Sequence, residues 1–412
     1  MPTAPPRPDS APLRAGIVGT GGIAAAHARA LRAHRDDVEL AGVADLDRGR
    51  AEEFGREHEA AAVAGSLQEL LASGDGLDVV HVCTPPGTHV ALAAEALASG
   101  VHVLLEKPPA LSLADFDRLV AAQDAAPADR RGRHARAGVV FQHRFGAAAE
   151  RLRRWLGDGT LGRSLLATCH TQWYRPPSYF ETPWRGTWDA EGGGPTMGHG
   201  IHQVDLLLSV LGPWREVRAV AARQARDVDT EDVSMALVTM ADGTLVSVVN
   251  SLLSPRESSE LRFDTEHATV ELHHLYGHGE SDWRLTAAPG HEELTTRWAD
   301  EAGRSARDTV DPVDPVDDAD PAEAAGAEVD RTSHRGQVGR ALAAIRTGGP
   351  LPVPLPDARR TLELSAAIYA SAFTDRTVRA GEIAPGHAFY DRMDGDGTPW
   401  PAAGADGTSS RP

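Results

Sequence analysis

The sequence has 412 residues, a length that fits two domains of about 100–200 residues each. Its 41 basic and 59 acidic residues give a formal net charge of −18. A field of that sign repels nucleic acids and anionic membrane surfaces. At 41% hydrophobic and 24% charged residues the composition is that of a globular protein, and two cysteines are too few for a disulfide scaffold.

The first residues lack the apolar core of a signal peptide, and no apolar run approaches the roughly 18–20 residues that span a membrane. We therefore expect a cytoplasmic protein without a membrane or nucleic-acid partner. Residues 1–12 are expected to be disordered, and 391–412 are expected to form a flexible tail.

Short apolar runs alternate with helix-like segments over the first third of the chain. Strands are predicted at 13–18, 39–44, 78–82, 101–105 and 137–142. Helices are predicted at 23–33, around 50–54, after a capping box at Ser66, at 88–99 and from Ser112 through Leu119. This alternation predicts right-handed crossovers and a parallel sheet covered on both faces, as in a Rossmann-type domain over 13–146.

The remainder of the chain favours antiparallel strands. These are predicted at 165–173, 233–240, 244–252, 260–263, 269–273 and 283–287, with helices at 333–346 and 357–373. The Asp242-Gly243 pair between two of the strands is typical of a β-hairpin turn. We therefore expect an α+β domain built on a mostly antiparallel open sheet over 147–390, with an acidic insertion at about 299–330.

A glycine-rich loop follows the first predicted strand and opens a helix. It reads Gly19, Thr20, Gly21, Gly22, Ile23 and Ala24. In this G-x-G-x-x-A pattern the first glycine permits a tight turn, the second lets the backbone approach a pyrophosphate, and the small last residue lets the helix pack on the strand. The alternative is a glycine turn with no ligand.

Asp45 ends the second predicted strand, where a carboxylate would bind the ribose hydroxyls of a dinucleotide. Such a carboxylate repels a 2′-phosphate, and Leu46 follows it in place of a phosphate-binding residue. The loop and Asp45 together predict NAD as the cofactor, with NADP less favoured, although Arg48 and Arg50 lie close in sequence.

Three further motifs carry a family resemblance. They are the segment from Cys83 to His89, the Glu106-Lys107-Pro108 triplet, and the glycine-led segment from Gly192 to Asp205. With them the chain resembles the glucose–fructose oxidoreductase / inositol dehydrogenase (Gfo/Idh/MocA) family over about 13–377, apart from the acidic insertion. The resemblance implies further cofactor contacts from Thr84, Pro85, His89, Glu106, Lys107, Gln142 and Arg144.

The resemblance also implies catalytic roles for Lys107 and His202. Lys107 would hold and polarise the reacting oxygen, and His202 would act as general acid/base on the substrate hydroxyl. For Lys107 the alternative is a surface lysine before a proline. Asp205 lies on the same helix face as His202 and either orients the imidazole or is a helix-surface or buried-pair carboxylate.

One position departs from the family pattern. Members often carry an aspartate one helical turn before the catalytic histidine, whereas this sequence has Gly198 there. His199 is adjacent and either occupies the vacated space or packs locally. His27, on the first predicted helix, is expected to pack locally.

An aromatic and arginine-rich segment precedes the glycine-led motif. Its candidate substrate contacts are Tyr174, Arg175, Tyr179, Trp184 and Arg185, together with His202. Aromatic faces stack on sugar C–H surfaces, and the hydroxyl and guanidinium groups read sugar hydroxyls. The alternative is a loop that packs over the sheet or in an oligomer interface.

The resulting functional prediction is an NAD-dependent oxidoreductase that interconverts a secondary alcohol and a ketone on a sugar or cyclitol. Two alternatives stay open: a closed-cycle, NAD-retaining glycosidase or epimerase of the same family, and a non-catalytic NAD-sensing regulator. A homo-oligomer, dimer or tetramer, is expected. No metal is expected, since the local group His273, His274 and His278 is interpreted as a turn.

Overall fold

The computed structural model describes residues 11–73, 76–182, 184–274, 278–307, 334–401 and 403. Over these residues the chain forms two compact units. The first contains 11–110, 115–142 and 334–359, and the second contains the other described residues. Within the described part of the chain, no helix is both long and apolar enough to cross a membrane.

Thirteen helices are numbered in chain order within the described residues. They are α1 (Gly22–Arg32), α2 (Arg48–Glu57), α3 (Leu67–Ala72), α4 (His89–Ala98), α5 (Leu113–Asp124), α6 (Ala147–Gly157), α7 (Trp188–Glu191), α8 (Pro195–Gly198), α9 (Ile201–Leu211), α10 (Glu293–Arg307), α11 (His334–Thr347), α12 (Leu355–Thr374) and α13 (Ala388–Asp391). Short 3₁₀ turns occupy Pro86–Thr88, Gln142–Phe145, Pro177–Glu181 and Glu280–Asp282.

A six-stranded sheet organises the first unit. Its strands are β1 (Leu13–Val18), β2 (Val38–Ala44), β3 (Val63–Ala64), β4 (Val79–Val82), β5 (His102–Leu105) and β6 (Ala137–Val139). They pair in the order β3-β2-β1-β4-β5-β6, and every pairing is parallel. The predicted parallel sheet is confirmed. The two-residue β3 was not predicted, because so short a strand leaves no periodic signal.

The chain leaves the last strand earlier than the sequence suggested. β6 ends at Val139, and the 3₁₀ turn over Gln142–Phe145 follows it. Gln142 and Arg144 therefore lie on a turn beyond the strand instead of at its end. The edge of β6 is covered by a later segment, since Val139 N donates to Val353 O at 3.0 Å and an uncovered edge would invite pairing with another chain.

Helix α11 belongs to the first unit, although its residues were predicted to lie in the second domain. Its Gln337 side chain donates to Val139 O at 2.7 Å and accepts from Phe141 N at 3.0 Å. Its apolar face joins the core formed by β1, β2 and α1, and that face carries Val338, Ala341, Leu342 and Ile345. A boundary drawn along the sequence cannot detect such a return of the chain.

An eight-stranded sheet organises the second unit. Its strands are β7 (Ser164–Tyr174), β8 (Trp214–Ala222), β9 (Val233–Met240), β10 (Leu245–Ser251), β11 (Leu253–Thr265), β12 (Ala268–His273), β13 (Trp283–Ala287) and β14 (Val378–Arg379). The order is β13-β12-β11-β7-β10-β9-β8-β14, and only β7 and β10 pair in parallel. The predicted mostly antiparallel sheet is confirmed, as is the β9–β10 hairpin.

Three segments of the second unit differ from expectation. β8 was not predicted. α10 occupies the start of the expected acidic insertion and buries Leu294 and Trp298, while 308–330 lie outside the described residues. The expected flexible tail is packed as far as Trp400, whose indole N–H donates to Asp229 O at 2.9 Å and whose ring meets Phe373 edge-on. Of the expected disordered N-terminus, residues 1–10 lie outside the described residues.

Candidate active site

The glycine-rich loop of the first unit has the geometry that a dinucleotide requires. Gly19 adopts a φ of +84°, and a Cβ there would lie 2.8 Å from the backbone of Cys83, so only glycine fits. Gly21 precedes α1 without a side-chain cap, and a Cβ on Gly21 or Gly22 would meet nothing within 4 Å. Exposed N–H groups at this helix start, with open space before them, fit the pyrophosphate of NAD.

Asp45 is ionised and held in place at the end of β2. One carboxylate oxygen accepts from Thr20 N at 2.8 Å, and the other accepts from Arg50 Nη2 at 2.7 Å and from Asp47 N at 2.9 Å. Burial opposes ionisation, but these hydrogen bonds outweigh it and lower the pKa of Asp45 to about 2. The next residue, Leu46, is 94% exposed. These residues fit a ribose and adenine more readily than a 2′-phosphate, although Arg50 stands beside the carboxylate.

The loop after β4 is tied down by a buried histidine. Nε2 of His89 lies 2.8 Å from Thr84 O and Nδ1 lies 2.9 Å from Pro108 O, and a neutral ring donates its one N–H to one of these two carbonyls. Pro85 is exposed, whereas His89 is fully buried, and burial lowers the pKa of His89. His89 therefore holds the Thr84 loop against the chain that follows Lys107.

Lys107 follows the carboxyl end of β5, next to Glu106. Lys107 is half-buried, whereas Glu106 is only 4% exposed and has its carboxylate turned inward. The sequence contains 41 basic residues, and Lys107 is the only lysine among them; the others are all arginine. That signal was available from the sequence and was missed.

His27 is not a locally packed side chain. Its Nε2 lies 2.9 Å from Glu106 Oε1, and its Nδ1 lies 2.7 Å from His81 Nδ1. His334 Nε2 lies 3.3 Å from the same Glu106 oxygen. Donor atoms of His27, Glu106 and His334 all lie within 4.8 Å of one another, so among the described residues these three have the residue types and spacing that a metal would need. The partners lie 54 and 79 residues from His27, so local sequence gave no sign of them.

In the second unit, His202 lies in the first turn of α9 and is 2% exposed. The His143 ring lies beside it, with centroids 4.9 Å apart, and the His278 ring also lies 4.9 Å from the His143 ring. His278 was interpreted as part of an exposed turn, but it is 1% exposed and packs against Trp283. Burial and then the neighbouring His143 hold the pKa of His278 well below its usual value.

Asp205 belongs to a buried ion pair. Its two carboxylate oxygens accept from Arg144 Nε at 2.5 Å and from Arg144 Nη2 at 2.6 Å, and Thr361 Oγ1 donates to it at 2.9 Å. Of the readings left open for Asp205, these contacts favour the buried pair. Arg144, a predicted cofactor contact, has its guanidinium fixed by this carboxylate.

The turn that leads to α9 is anchored by Glu231, which the sequence analysis did not identify. Glu231 accepts from Gly194 N at 2.9 Å, from Thr196 N at 3.1 Å and from Tyr369 OH at 2.8 Å. A Cβ on Gly193 would overlap the Tyr369 hydroxyl, and one on Gly194 would overlap the Glu231 carbonyl oxygen. Burial raises the pKa of Glu231 to about 7 against these hydrogen bonds.

The aromatic segment packs as alternating cations and rings. Arg185 lies over Tyr179 and Trp184, with its Cζ 4.1 and 4.3 Å from their centroids, and its guanidinium contacts the Tyr179 hydroxyl. Arg175 lies over Tyr179 at 5.3 Å, and Tyr174 is 38% exposed. Burial raises the pKa of Tyr179. The five predicted substrate residues therefore share one region of the second unit.

Gly198 and His199 precede α9. A Cβ on Gly198 would meet nothing within 4 Å, apart from its chain neighbours, so the position has room for a side chain. The His199 ring stands edge-on to Trp173 at 4.9 Å and lies 6.1 Å from Tyr179, both centroid to centroid. His199 thus adjoins the aromatic segment.

Segments of both units match known protein families. Residues 13–128 match the oxidoreductase family, NAD-binding Rossmann fold (GFO_IDH_MocA), and residues 149–271 match the GFO/IDH/MocA C-terminal domain. The chain is 30% identical to D-glucoside 3-dehydrogenase from Escherichia coli K12 over 54% of its length and 60% of that protein. It is 30% identical to inositol 2-dehydrogenase 4 from Saccharopolyspora erythraea over 57% and 66%. The matches span less than two thirds of either relative.

A solved structure agrees over more of the chain. The WlbA dehydrogenase from Bordetella pertussis, in complex with NADH and UDP-GlcNAcA, superposes with a TM-score of 0.72 at 25% identity, covering 90% of this chain and 99% of that one. The two matched domains together cover more than half of the sequence, in the order in which the two sheets occur. The chain belongs to the GFO/IDH/MocA oxidoreductase family.

Proposed function

We propose that this protein catalyses NAD-dependent interconversion of a secondary alcohol and a ketone on a sugar or cyclitol. The observation that carries the proposal is the single lysine of the chain, Lys107, which follows a parallel strand at the same edge of the sheet as the glycine-rich loop that fits NAD. Ligands of such sheets bind outside the carboxyl ends of the strands. The names of the relatives, a glucoside and an inositol dehydrogenase, support the substrate class.

An amine is the group that this chemistry needs at Lys107. An arginine is always protonated in proteins, whereas a lysine ammonium can donate a hydrogen bond and also release its proton. A chain that uses arginine at every other basic position keeps a lysine here. When bound, NAD supplies the hydride acceptor. Lys107 polarises the reacting hydroxyl oxygen, and His202 takes or returns the hydroxyl proton as general acid/base.

We assign the substrate contacts to the aromatic segment of the second unit. Tyr179 and Arg185 present a ring face and a guanidinium together, which suits the C–H surface and the hydroxyls of a sugar ring. The preference for NAD over NADP follows from the ionised Asp45. With Gly198 in place of an aspartate, the proposal assigns proton transfer to Lys107 and His202 alone.

We also propose a homo-oligomer in the cytoplasm. One apolar face of the second unit's sheet is exposed, with Val220, Met235, Leu237 and Leu245 each more than 50% accessible. Exposed apolar patches of this kind mark interaction surfaces. Both cysteines are buried free thiols, in keeping with a reducing compartment.

The test follows absorbance at 340 nm with purified protein, NAD or NADP, and a panel of inositols, aldoses and sugar nucleotides. NADH should appear with at least one member. Lys107→Arg and Lys107→Ala should each lower kcat by at least about 100-fold, within the range of general acid/base catalysis, because neither side chain can relay a proton. His202→Ala should do the same.

NAD affinity, followed by protein fluorescence, is the control for His202→Ala and should change little in that variant. For Lys107, itself an expected cofactor contact, kcat at saturating NAD is compared among wild type, Lys107→Arg and Lys107→Ala. An active Lys107→Arg enzyme would contradict the assigned role. Silence of the wild type across the panel despite NAD binding would overturn the dehydrogenase proposal and point to a closed-cycle enzyme or a sensor.

A further inference from the structure

A chain of four buried side chains lies next to Lys107. It runs from His81 on β4 through His27 on α1 to Glu106 at the end of β5, and His334 on α11 joins from the other side. His27 and His81 are fully buried, Glu106 is 4% exposed and His334 is 9% exposed. We call these four residues the histidine–glutamate cluster. The proposed chemistry uses none of the four directly: Glu106 is only an expected cofactor contact, and the three histidines have no assigned role.

The contacts favour one assignment of protons to the rings of His27 and His81. If His27 is neutral and donates from Nε2 to Glu106 Oε1, its Nδ1 must accept from His81 Nδ1, which carries the proton. His81 Nε2 then needs no proton, and this atom has no hydrogen-bond partner within the described structure. A cationic His27 would instead give His81 a buried N–H without an acceptor, which costs more than a bare ring nitrogen.

This placement leaves Glu106 as the charged member. Burial alone would raise the pKa of Glu106, but the hydrogen bonds from His27 and His334 outweigh it and hold that pKa well below its usual range. Burial also lowers the pKa of His27. A buried carboxylate that is ionised needs several donors to stay so, and the two histidines supply two of them.

The remaining oxygen of Glu106 reaches the backbone of Lys107. Lys107 N donates to Glu106 Oε2 at 3.1 Å, so the carboxylate that the histidines hold also fixes the peptide from which the lysine side chain starts. Catalytic groups work only when held within about 0.5 Å of the productive position. We propose that His27 and His334 are positioning residues that hold Glu106 in place, and that Glu106 orients Lys107 for hydride transfer. This inference rests on the proposed function.

Hydrogen bonding accounts for the cluster better than a metal does. Donor atoms about 2.0–2.1 Å from a tetrahedral zinc lie roughly 3.3–3.4 Å apart. His27 Nε2 and Glu106 Oε1 are 2.9 Å apart, which is an ordinary hydrogen-bond length. The separation of His81 and His27, 2.7 Å between their Nδ1 atoms, likewise fits a shared proton.

The experiment uses the fact that Lys107 is the only lysine in the sequence. Full-length protein grown on ¹⁵N-lysine has one labelled backbone amide, that of Lys107, and its single NMR cross-peak reports the bond to Glu106 directly. In His27→Leu and Glu106→Gln this cross-peak should move and its hydrogen exchange should speed up at least about tenfold. His27→Gln keeps an N–H that can reach Glu106 and should restore most of the wild-type behaviour.

Turnover gives the second readout. His27→Leu should lower kcat at least about tenfold and raise the primary deuterium isotope effect on kcat, because hydride transfer becomes slower than product release. KM for the substrate and Kd for NAD should change less than about threefold. His27→Gln should recover kcat to within about threefold of the wild type.

The matched control lies at the other end of the same strand. His102 is fully buried and bonds Asp129 at 2.9 Å, so His102→Leu breaks a similar histidine–carboxylate pair at the amino end of β5. It should lower the melting temperature about as much as His27→Leu does but leave the Lys107 cross-peak and kcat unchanged. Equal loss of kcat in both variants, or no rescue by His27→Gln, would show that the cluster is only structural.

The remaining outcomes also test either the inference or the proposed function. If His27→Leu does not fold, Glu106→Gln alone carries the test, since it removes the charge without changing volume. An unmoved Lys107 cross-peak in Glu106→Gln overturns the inference whether or not the enzyme turns over. One equivalent of zinc in purified wild type would also overturn it. A silent wild type with the expected cross-peak shifts would overturn the proposed function only.

Discussion

Glu231 gives a prediction in which the sign of a pH effect can be worked out. This carboxyl is fully buried, and its pKa in the folded protein is about 7, against 4.5 for an ordinary glutamate. The folded state therefore holds the proton more tightly than the unfolded state between these values. By linkage, the free energy of unfolding falls as pH rises through that interval and is flat above it.

The magnitude follows from the same interval. A rise in pKa from 4.5 to about 7 corresponds to a change of about 3 kcal/mol in the free energy of unfolding. About 2 kcal/mol of this change falls between pH 5.5 and 8.5. Glu231→Gln resembles the protonated acid at every pH. We therefore expect the variant to match the stability of the wild type at pH 5.5 and to exceed it by about 2 kcal/mol at pH 8.5.

The assay is urea unfolding of both proteins at pH 5.5, 7 and 8.5, followed by tryptophan fluorescence. Glu266→Gln is the control: this exposed carboxyl accepts hydrogen bonds from Arg163, its pKa is lowered, and it stays ionised across the range. The difference in the free energy of unfolding between Glu266→Gln and the wild type should be the same at all three pH values. A constant difference for Glu231→Gln would refute the reasoning, and a deficit that grows with pH would show that the carboxyl is ionised at low pH.

Two further predictions concern the cofactor and the assembly. Asp45→Ser removes the partner that Arg50 now binds, so the ratio of kcat/KM for NADP to that for NAD should rise at least about tenfold, or about 1.4 kcal/mol; Asp45→Ser with Arg50→Ala should show no such rise. If copies of the second unit pair through its apolar sheet face, Leu237→Lys should lower the mass measured by light scattering. Leu46→Lys, at a still more exposed leucine of the first unit, should leave the mass unchanged.

Much of the fold could be predicted because its signals are local. The buried parallel strands are continuous apolar runs, and the β9–β10 hairpin carries an Asp-Gly turn. β8 was missed although its buried and exposed residues alternate in part. α10 was missed because the acidic composition after residue 299 concealed an amphipathic helix that buries Leu294 and Trp298.

The site could be predicted only where one motif contains the chemistry. Gly19 and Lys107 lie in contiguous motifs, so their positions could be read from the sequence. The contacts that hold Glu106 come from His27 and His334, which lie 79 and 228 residues away along the chain. Such pairings are set by tertiary packing, and a single sequence contains no trace of them.

The return of α11 to the first unit affects how the protein is made. The core that α1 and β1 begin is completed by Val338, Ile345 and Leu351, which leave the ribosome about 200 residues after β6, when all strands of the second sheet except β14 have been synthesised. The strands of the first unit therefore keep an apolar surface exposed until these residues have been synthesised. A shortened chain ending near residue 146 would keep that surface open and should aggregate, so the cofactor-binding half cannot be obtained by simple truncation.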